Sequence, residues 1–140
     1  MGSVKIFVQH PTPPKFKKRI LSALSKTVIE SEGFEIDSVN VVLTDNSYIL
    51  EINSKYLNHV YETDVISFRL NEGKKIEGEI YISLDVAASQ AKEYKVEFEN
   101  ELARLVAHGT LHLCGFDDQS DTEKKQMTSK ENFYLKKRLV

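Results

Sequence analysis

The sequence has little that would cross-link a small protein or hold it in a membrane. Its 140 residues contain one cysteine, Cys114, so no disulfide can form within the chain, as is usual in a reducing cytoplasm. Residues 1–5 open no apolar signal region, and no stretch approaches the roughly 18 consecutive apolar residues that span a membrane. We therefore expect a soluble, cytoplasmic protein without a membrane partner.

A surplus of positive charge is also absent. The chain carries 19 lysines and arginines against 21 aspartates and glutamates, a formal net charge of −2. Domains that act through nucleic-acid contacts are usually much more basic. Composition alone therefore indicates no nucleic-acid interface, although the basic residues between Lys15 and Arg19 could guide a polyanion to one surface.

No internal repeat, low-complexity stretch or linker interrupts the chain, so we expect one domain over residues 1–140. Of the residues, 41% are hydrophobic and 29% are charged, as in ordinary globular proteins. A chain of this length buries about two thirds of its unfolded surface, so it does not need a metal to fold. Any metal site is therefore expected to serve function.

Hydrophobic periodicity predicts the element order β-α-β-α-β-β-α-α-α. The predicted strands are residues 4–9, 36–44, 63–70 and 76–83, and the predicted helices are residues 15–32, 47–57, 85–94, 97–114 and 121–139. This order predicts a small mixed four-stranded sheet packed by about five helices, a single-layer domain of α/β or α+β class.

Two histidines and an aspartate form a cluster with metal-ligand spacing. His108 and His112 stand one helical turn apart and share a helix face, so both imidazoles can reach one ion. Gly115 can adopt the left-handed conformation that ends a helix, which lets Asp118 turn back as a third ligand. Such a histidine pair also occurs by chance, but the coincidence with the glycine and the carboxylate favours a metal site. Zn²⁺ is the leading candidate, and Ni²⁺, Co²⁺ and Mn²⁺ are chemically acceptable.

The cluster is similar to the metzincin protease pattern His-Glu-x-x-His-x-x-Gly-x-x-His. In that pattern the glutamate after the first histidine is the general base, whereas this chain has Gly109 there. A protease would need another base.

A second resemblance covers nearly the whole chain. Residues 108–118, HGTLHLCGFDD, are similar to the pattern His-Gly-x-Leu-His-Leu-x-Gly-Tyr-Asp-His of the YbeY family of metal-dependent endoribonucleases and ribosome-maturation factors. Residues 63–68, TDVISF, and residues 78–83, GEIYIS, resemble two strand motifs of that family. Residues 52–56, INSKY, resemble its Leu-Asn-x-x-Tyr segment. These four ordered motifs identify the chain as a member of the family.

The resemblance implies a metallohydrolase-like domain with one divalent ion, most simply Zn²⁺. It implies hydrolytic cleavage of single-stranded ribosomal RNA, in ribosomal RNA maturation and ribosome quality control, with the small ribosomal subunit as a partner. Within the family the third ligand is normally histidine, whereas this chain has Asp118. The family arginine after Leu-Asn-x-x-Tyr aligns with Leu57, and Lys55 or His59 could bind substrate in its place.

Three further residues are candidates for the reaction. Arg104, one turn before His108, could contact phosphate as a catalytic residue, or could form a salt bridge with Glu101 or a neighbouring helix. Asp117 could orient a ligand histidine, or could cap the turn. Ser67 could line the substrate cleft, or could be a buried serine bonded to backbone.

Two other functions stay open at this point. The departures at Leu57 and Asp118 are compatible with a non-catalytic, metal-binding ribosome assembly factor. A zinc metalloprotease-like hydrolase is the third alternative.

Overall fold

The computed structural model describes residues 2–56 and 64–138, and its elements follow the predicted order. The strands are β1 Ser3–Gln9, β2 Glu35–Thr44, β3 Val65–Arg69 and β4 Lys75–Ser83. The helices are α1 Lys18–Ser31, α2 Asn46–Tyr56, α3 Leu84–Tyr94, α4 Phe98–Leu113 and α5 Asp121–Arg138. Leu57, His59 and Thr63 lie outside the described residues.

The four strands form one mixed sheet in the order β1-β2-β4-β3. Strand β2 pairs in parallel with both β1 and β4. Strands β3 and β4 are consecutive in the chain and pair antiparallel as a hairpin. The register brings Phe7, Val42, Tyr81 and Ile66 into one row across the sheet. The predicted mixed four-stranded sheet with five helices is confirmed.

The core lies between one face of the sheet and the helices α1 and α4. Alternate residues of the strands face it, because successive side chains of a strand point to opposite faces. Its fully buried members include Val28, Val41, Ile80, Leu102 and Val106. A smaller apolar cluster of Ile49, Ile52 and Ile66 joins α2 to the hairpin.

The helix starts differ from the predicted ones by up to three residues. Helix α1 begins at Lys18, because Lys17 has extended backbone and no side chain caps the helix. Positive charges are also unfavourable at a helix N-terminus, so the basic run delays the first turn. Helix α3 begins directly after β4, where the Ser83 hydroxyl accepts a hydrogen bond from the Val86 amide. Among the described residues, no helix combines the length and hydrophobicity of a membrane span.

Candidate metal centre

Helix α4 presents the two histidines on a stripe of its surface that is not buried. Most of its 16 residues lie in the core, whereas Arg104, His108 and His112 are each partly exposed. These three positions are spaced four residues apart and therefore share one face of the helix. The packing of α4 thus leaves both imidazoles at the edge of the core, accessible to solvent.

The turn after α4 brings Asp118 back to the histidines. The Phe116 amide donates to the Leu111 carbonyl, and the Gly115 amide donates to the His112 carbonyl. This pair of bonds is a Schellman motif, which requires the left-handed conformation that Gly115 adopts with φ of 97°. The predicted glycine turn is therefore present, and it directs the following residues towards the ligand face.

His108, His112 and Asp118 place three ligand atoms in a nearly equilateral triangle. The two histidine Nε2 atoms are 3.1 Å apart, and the Asp118 Oδ2 atom lies 3.3 Å from Nε2 of His108 and 3.5 Å from Nε2 of His112. In tetrahedral zinc sites, bond lengths near 2.0–2.1 Å imply ligand-to-ligand distances of about 3.3–3.4 Å. The triangle therefore has the dimensions of three corners of a zinc tetrahedron. Among the described residues, this is the cluster that could hold a metal.

A buried carboxylate holds the first histidine in place. Glu131 of α5 is 6% exposed, and its Oε2 atom accepts a 2.7 Å hydrogen bond from Nδ1 of His108. That bond puts the proton on Nδ1 and leaves the Nε2 lone pair directed at the triangle. The other carboxylate oxygen accepts from Arg104 at 2.9 Å, so Arg104, Glu131 and His108 form a continuous chain.

The charges around His108 favour a cation at this site. Burial lowers the pKa of His108, but the hydrogen bond to Glu131 and the negative charges of Glu131, Asp118 and Asp64 outweigh burial and raise it. The same carboxylates that favour a proton on the imidazole also favour a divalent ion. Burial raises the pKa of the nearby Cys114 thiol to about 12, and Cys114 does not belong to the cluster of ligand atoms.

Strand β3 holds α4 at two points beside the ligands. The Ser67 hydroxyl donates to the Gly109 carbonyl at 2.9 Å, and Nη1 of Arg69 donates to the Leu113 carbonyl at 3.0 Å. Ser67 and Arg69 are two residues apart on the strand, and Gly109 and Leu113 are four residues apart on the helix. Both separations are about 6–7 Å, so the two hydrogen bonds can form together. Each contact is to the residue that follows a ligand histidine.

Gly109 lets α4 approach the sheet closely. A Cβ atom at this position would lie 2.7 Å from Cγ2 of Ile80 and 3.1 Å from both Oγ of Ser67 and Cγ2 of Val65. The position therefore faces the sheet and has no room for a glutamate side chain. The general base of the protease pattern cannot stand here, which argues against the metalloprotease alternative.

We expect Gly109→Ala to destabilise the protein despite the better helix propensity of alanine. Propensity favours the substitution by about 1 kcal/mol. Overpacking against the buried, branched Ile80 side chain costs about 1–3 kcal/mol, so a net loss is expected in urea unfolding. Thr128→Ala, at an exposed position of α5, reports propensity alone and should be neutral or slightly stabilising. A Gly109→Ala protein more stable than its parent would show that the close approach is absent.

The triad opens into a cleft with a volume of about 640 Å³. The cleft lies between β3, the C-terminal end of α4 and the turn that follows it. Its polar and charged lining residues are Asn53, Asp64, Ser67, Arg69, His108, His112, Asp117, Asp118 and Gln119. The ligand atoms are therefore accessible to a substrate of considerable size.

Of the other four predicted site residues, two line the cleft and two do not. Asp117 is exposed and lines the cleft, and Ser67 lines it too, although its O–H group is directed at the Gly109 carbonyl. Arg104 forms an ion pair with Glu131 of a neighbouring helix, which is one of the roles that the sequence left open. It also donates a hydrogen bond to Asn132 and does not line the cleft. Lys55 is exposed near the end of α2 and is also absent from the lining.

Three residues of the site escaped prediction from the sequence. Glu131 lies 23 residues after His108, on a helix whose sequence has no clear apolar face, so no local pattern marks it. Asn53 belongs to a recognised motif without an assigned role, and it is 2% exposed and lines the cleft. Arg69 follows the third strand motif and had no sequence signal of its own.

Comparisons with known proteins agree with this geometry. The family model described as "Endoribonuclease YbeY" matches residues 7–138. A protein of that name from Chloroherpeton thalassium is 49% identical over 108 residues, which are 77% of each chain. One from Chlorobium phaeobacteroides is 41% identical over 130 residues, 93% of this chain and 92% of the relative.

A solved structure has the same fold. The solution structure of TM1509 from Thermotoga maritima matches with a TM-score of 0.65 at 28% identity, covering 96% of this chain and 88% of that one. The match with the family model covers the last residues of β1, the other three strands, α4 with both histidines, and all of α5. The chain therefore belongs to the YbeY family of endoribonucleases.

Proposed function

We propose that this protein is a metal-dependent endoribonuclease that hydrolyses phosphodiester bonds of single-stranded RNA. The observation that carries the proposal is the ligand triangle of His108, His112 and Asp118 on the wall of an open cleft. The relatives named Endoribonuclease YbeY supply the reaction class. The cleft is open enough to admit a flexible strand.

Zn²⁺ is the ion that the donor set supports best. Two imidazole nitrogens and one carboxylate oxygen, at tetrahedral spacing, are ligands that zinc prefers. The cluster found among the described residues has three ligands, the number that the protein supplies in catalytic zinc sites. When bound, such an ion supplies Lewis-acid chemistry, because it lowers the pKa of water and polarises a phosphoryl oxygen. With Asp118 in place of a third histidine, the net charge of the occupied site is lower by one, which weakens the Lewis acidity of the ion.

The residues around the metal ligands would have separate roles in positioning the ligands and in the hydrolysis. Glu131 keeps His108 in the ligand tautomer, and Arg104 holds the Glu131 carboxylate in place through a 2.9 Å contact, so Arg104 is a positioning residue rather than a phosphate contact. Asp117 has an exposed carboxylate in the cleft and no hydrogen bond to another described residue, so it can accept a proton during hydrolysis. Ser67 has already donated its one O–H and can act towards substrate only as an acceptor.

We further propose ribosomal RNA as the substrate, the small ribosomal subunit as the partner and the cytoplasm as the place of action. These parts rest on the family resemblance. Lys55, which is exposed on α2, is retained as a candidate contact to RNA outside the cleft.

Removal of the metal tests the proposal. A chelator-treated sample is expected to lose cleavage of single-stranded ribosomal RNA by about a hundredfold or more, and to regain it when Zn²⁺ is added back. The rate is measured on a fluorescently labelled strand, with a parallel preparation of His112→Ala as the control for contaminating nucleases. Cleavage that survives chelation, or that appears equally in the His112→Ala preparation, would refute the assignment.

The non-catalytic assembly factor is the second candidate, favoured by the carboxylate at position 118 and the leucine at position 57. A comparison of the parent with Leu57→Arg distinguishes the two functions. A silent parent that gains cleavage in Leu57→Arg would favour the assembly factor, whereas an active parent favours the enzyme. For the metalloprotease, a peptide screen without metal-dependent turnover would eliminate it.

A further inference from the structure

Arg69 is the one lysine or arginine among the described residues that line the cleft. The other charged groups of the lining are carboxylates, on Asp64, Asp117 and Asp118, together with the two ligand histidines. An RNA strand in this cleft would bring further negative charge to an acidic surface. A cation is therefore needed beside the metal site, and Arg69 is in the place to supply it.

Among the residues that the structure describes, the guanidinium of Arg69 has no acidic partner. Its Nε donates to Oδ1 of Asn71 at 3.1 Å, Nη1 donates to the Leu113 carbonyl at 3.0 Å, and Nη2 donates to the Gly73 carbonyl at 2.7 Å. All of these acceptors are neutral, and Arg69 forms no ion pair with any described carboxylate. The positive charge is therefore not neutralised within the described parts of the chain.

The same contacts keep the guanidinium rigid while leaving donors available. A guanidinium has five N–H groups, so the three hydrogen bonds leave two N–H groups without a described partner. The ring of Phe34 lies 5.7 Å from the guanidinium carbon and limits its movement further. A fixed, planar donor loses little conformational entropy when it binds an anion.

The position of Arg69 relative to the metal ligands is also set. Its Nη1 contact is to the carbonyl of Leu113, the residue directly after the ligand His112. Strand β3 therefore places the guanidinium at the C-terminal end of α4, in the lining of the same cleft as the triad.

We propose that Arg69 binds a backbone phosphate of the RNA strand and so positions that strand across the metal site. The ligand is a phosphodiester anion, whose non-bridging oxygens match the planar guanidinium fork. This inference rests on the proposed function, since it assigns a substrate contact to the same cleft. Together, Arg69 and the bound ion offset the carboxylates of the lining and hold the strand at two points.

A purely structural role for Arg69 makes different predictions. If the residue only fastens the end of α4, Arg69→Gln and Arg69→Lys should both lower the melting temperature and leave the salt dependence of RNA binding unchanged. If it binds phosphate, Arg69→Lys should retain the charge contact and much of the affinity, whereas Arg69→Gln should lose it. Lys74→Gln is the matched control, because it removes one exposed charge from the same hairpin outside the cleft.

The experiment measures binding of a labelled oligouridylate to chelator-treated protein by fluorescence anisotropy over a range of salt concentrations. We expect Arg69→Gln to weaken binding about tenfold at low salt, since one charge-assisted hydrogen-bonded contact is lost. The slope of log K against log salt should fall by about 0.7, the value for one phosphate contact on a single strand. Lys74→Gln should alter neither quantity appreciably.

A measurement on the parent protein guards against a variant that fails to fold. The Nε–H resonance of Arg69, assigned by its absence in Arg69→Lys, should shift when oligouridylate is added to the isotope-labelled parent. An unmoved resonance in a parent that binds RNA, or equal slopes for Arg69→Gln and Lys74→Gln, would overturn the proposal and leave the nuclease function standing. A parent that binds no RNA at any salt concentration, either chelator-treated or loaded with Zn²⁺, would overturn both.

Discussion

Alanine in place of His112 is expected to abolish stoichiometric metal binding and RNA cleavage together. The substitution removes one corner of the triangle and leaves two ligand atoms 3.3 Å apart, on His108 and Asp118. Loss of an outer partner alone costs about 10–100-fold in metal affinity, so loss of a direct ligand should cost more. Elemental analysis of the purified variant should find well under one ion per chain.

The fold of the His112→Ala variant should survive. The side chain of His112 is 25% exposed, and alanine is the best helix former, so α4 loses little packing and gains propensity. Gln119→Ala is the matched control for metal content, because Gln119 lines the same cleft without contributing to the triangle. A His112→Ala protein that folds normally and still holds one ion per chain would show that the triad is wrong.

Glu131→Gln is expected to weaken metal binding by about 10–100-fold, although the residue cannot touch the ion. The carboxylate holds His108 through a 2.7 Å hydrogen bond and also accepts from Arg104. A neutral amide of the same shape removes the charge that strengthens the imidazole as a ligand, and leaves the Arg104 guanidinium without its ion pair. Competition with a chromophoric zinc chelator measures the affinity directly.

Asn132→Ala separates this effect from general damage to α5. Asn132 accepts the other hydrogen bond of Arg104, at 2.8 Å, and is exposed on the same helix. Its loss should leave zinc affinity within about twofold of the parent, since the Glu131 carboxylate remains in place. Equal affinities for the parent, Glu131→Gln and Asn132→Ala would mean that Glu131 does not support the metal centre.

The elements of the fold were predictable because each helix and strand has a local pattern. The alternation in β4 and the helical spacing in α4 are complete within one element, so periodicity alone locates them. The order β1-β2-β4-β3 was not predictable in this way, because the insertion of β4 between β2 and β3 depends on parallel pairing across long connections. The start of helix α1 at Lys18 was not predictable either, because it depends on the absence of a capping side chain.

The metal ligands were predictable for a related reason. His108, His112, Gly115 and Asp118 lie within 11 residues, so helix geometry and one glycine turn bring them together without tertiary information. The partners that tune and surround the site come from other elements. Glu131 reaches it from α5 and Arg69 reaches it from β3, through contacts that only the packed structure reveals.

Arg104 and Gly109, which lie close to the ligand histidines in the sequence, show how packing decides between the roles that the sequence allows for a residue. Arg104 shares the stripe of the ligands, yet its guanidinium is bound to Glu131, because α5 packs beside that part of α4. The sequence singles out Gly109 only because it replaces the catalytic glutamate of the protease pattern. The structure shows that a side chain at this position would clash with Ile80. The same residue thus accounts for the close packing and for the missing protease base.

The most direct test of the account is an anomalous-scattering map from crystals grown with Zn²⁺, recorded on both sides of the zinc absorption edge. The account predicts one strong peak per chain, about 2.0–2.2 Å from Nε2 of His108, Nε2 of His112 and a carboxylate oxygen of Asp118. A map without a peak there, or with its principal peak at other residues, would contradict the central claim that these three side chains form the metal centre.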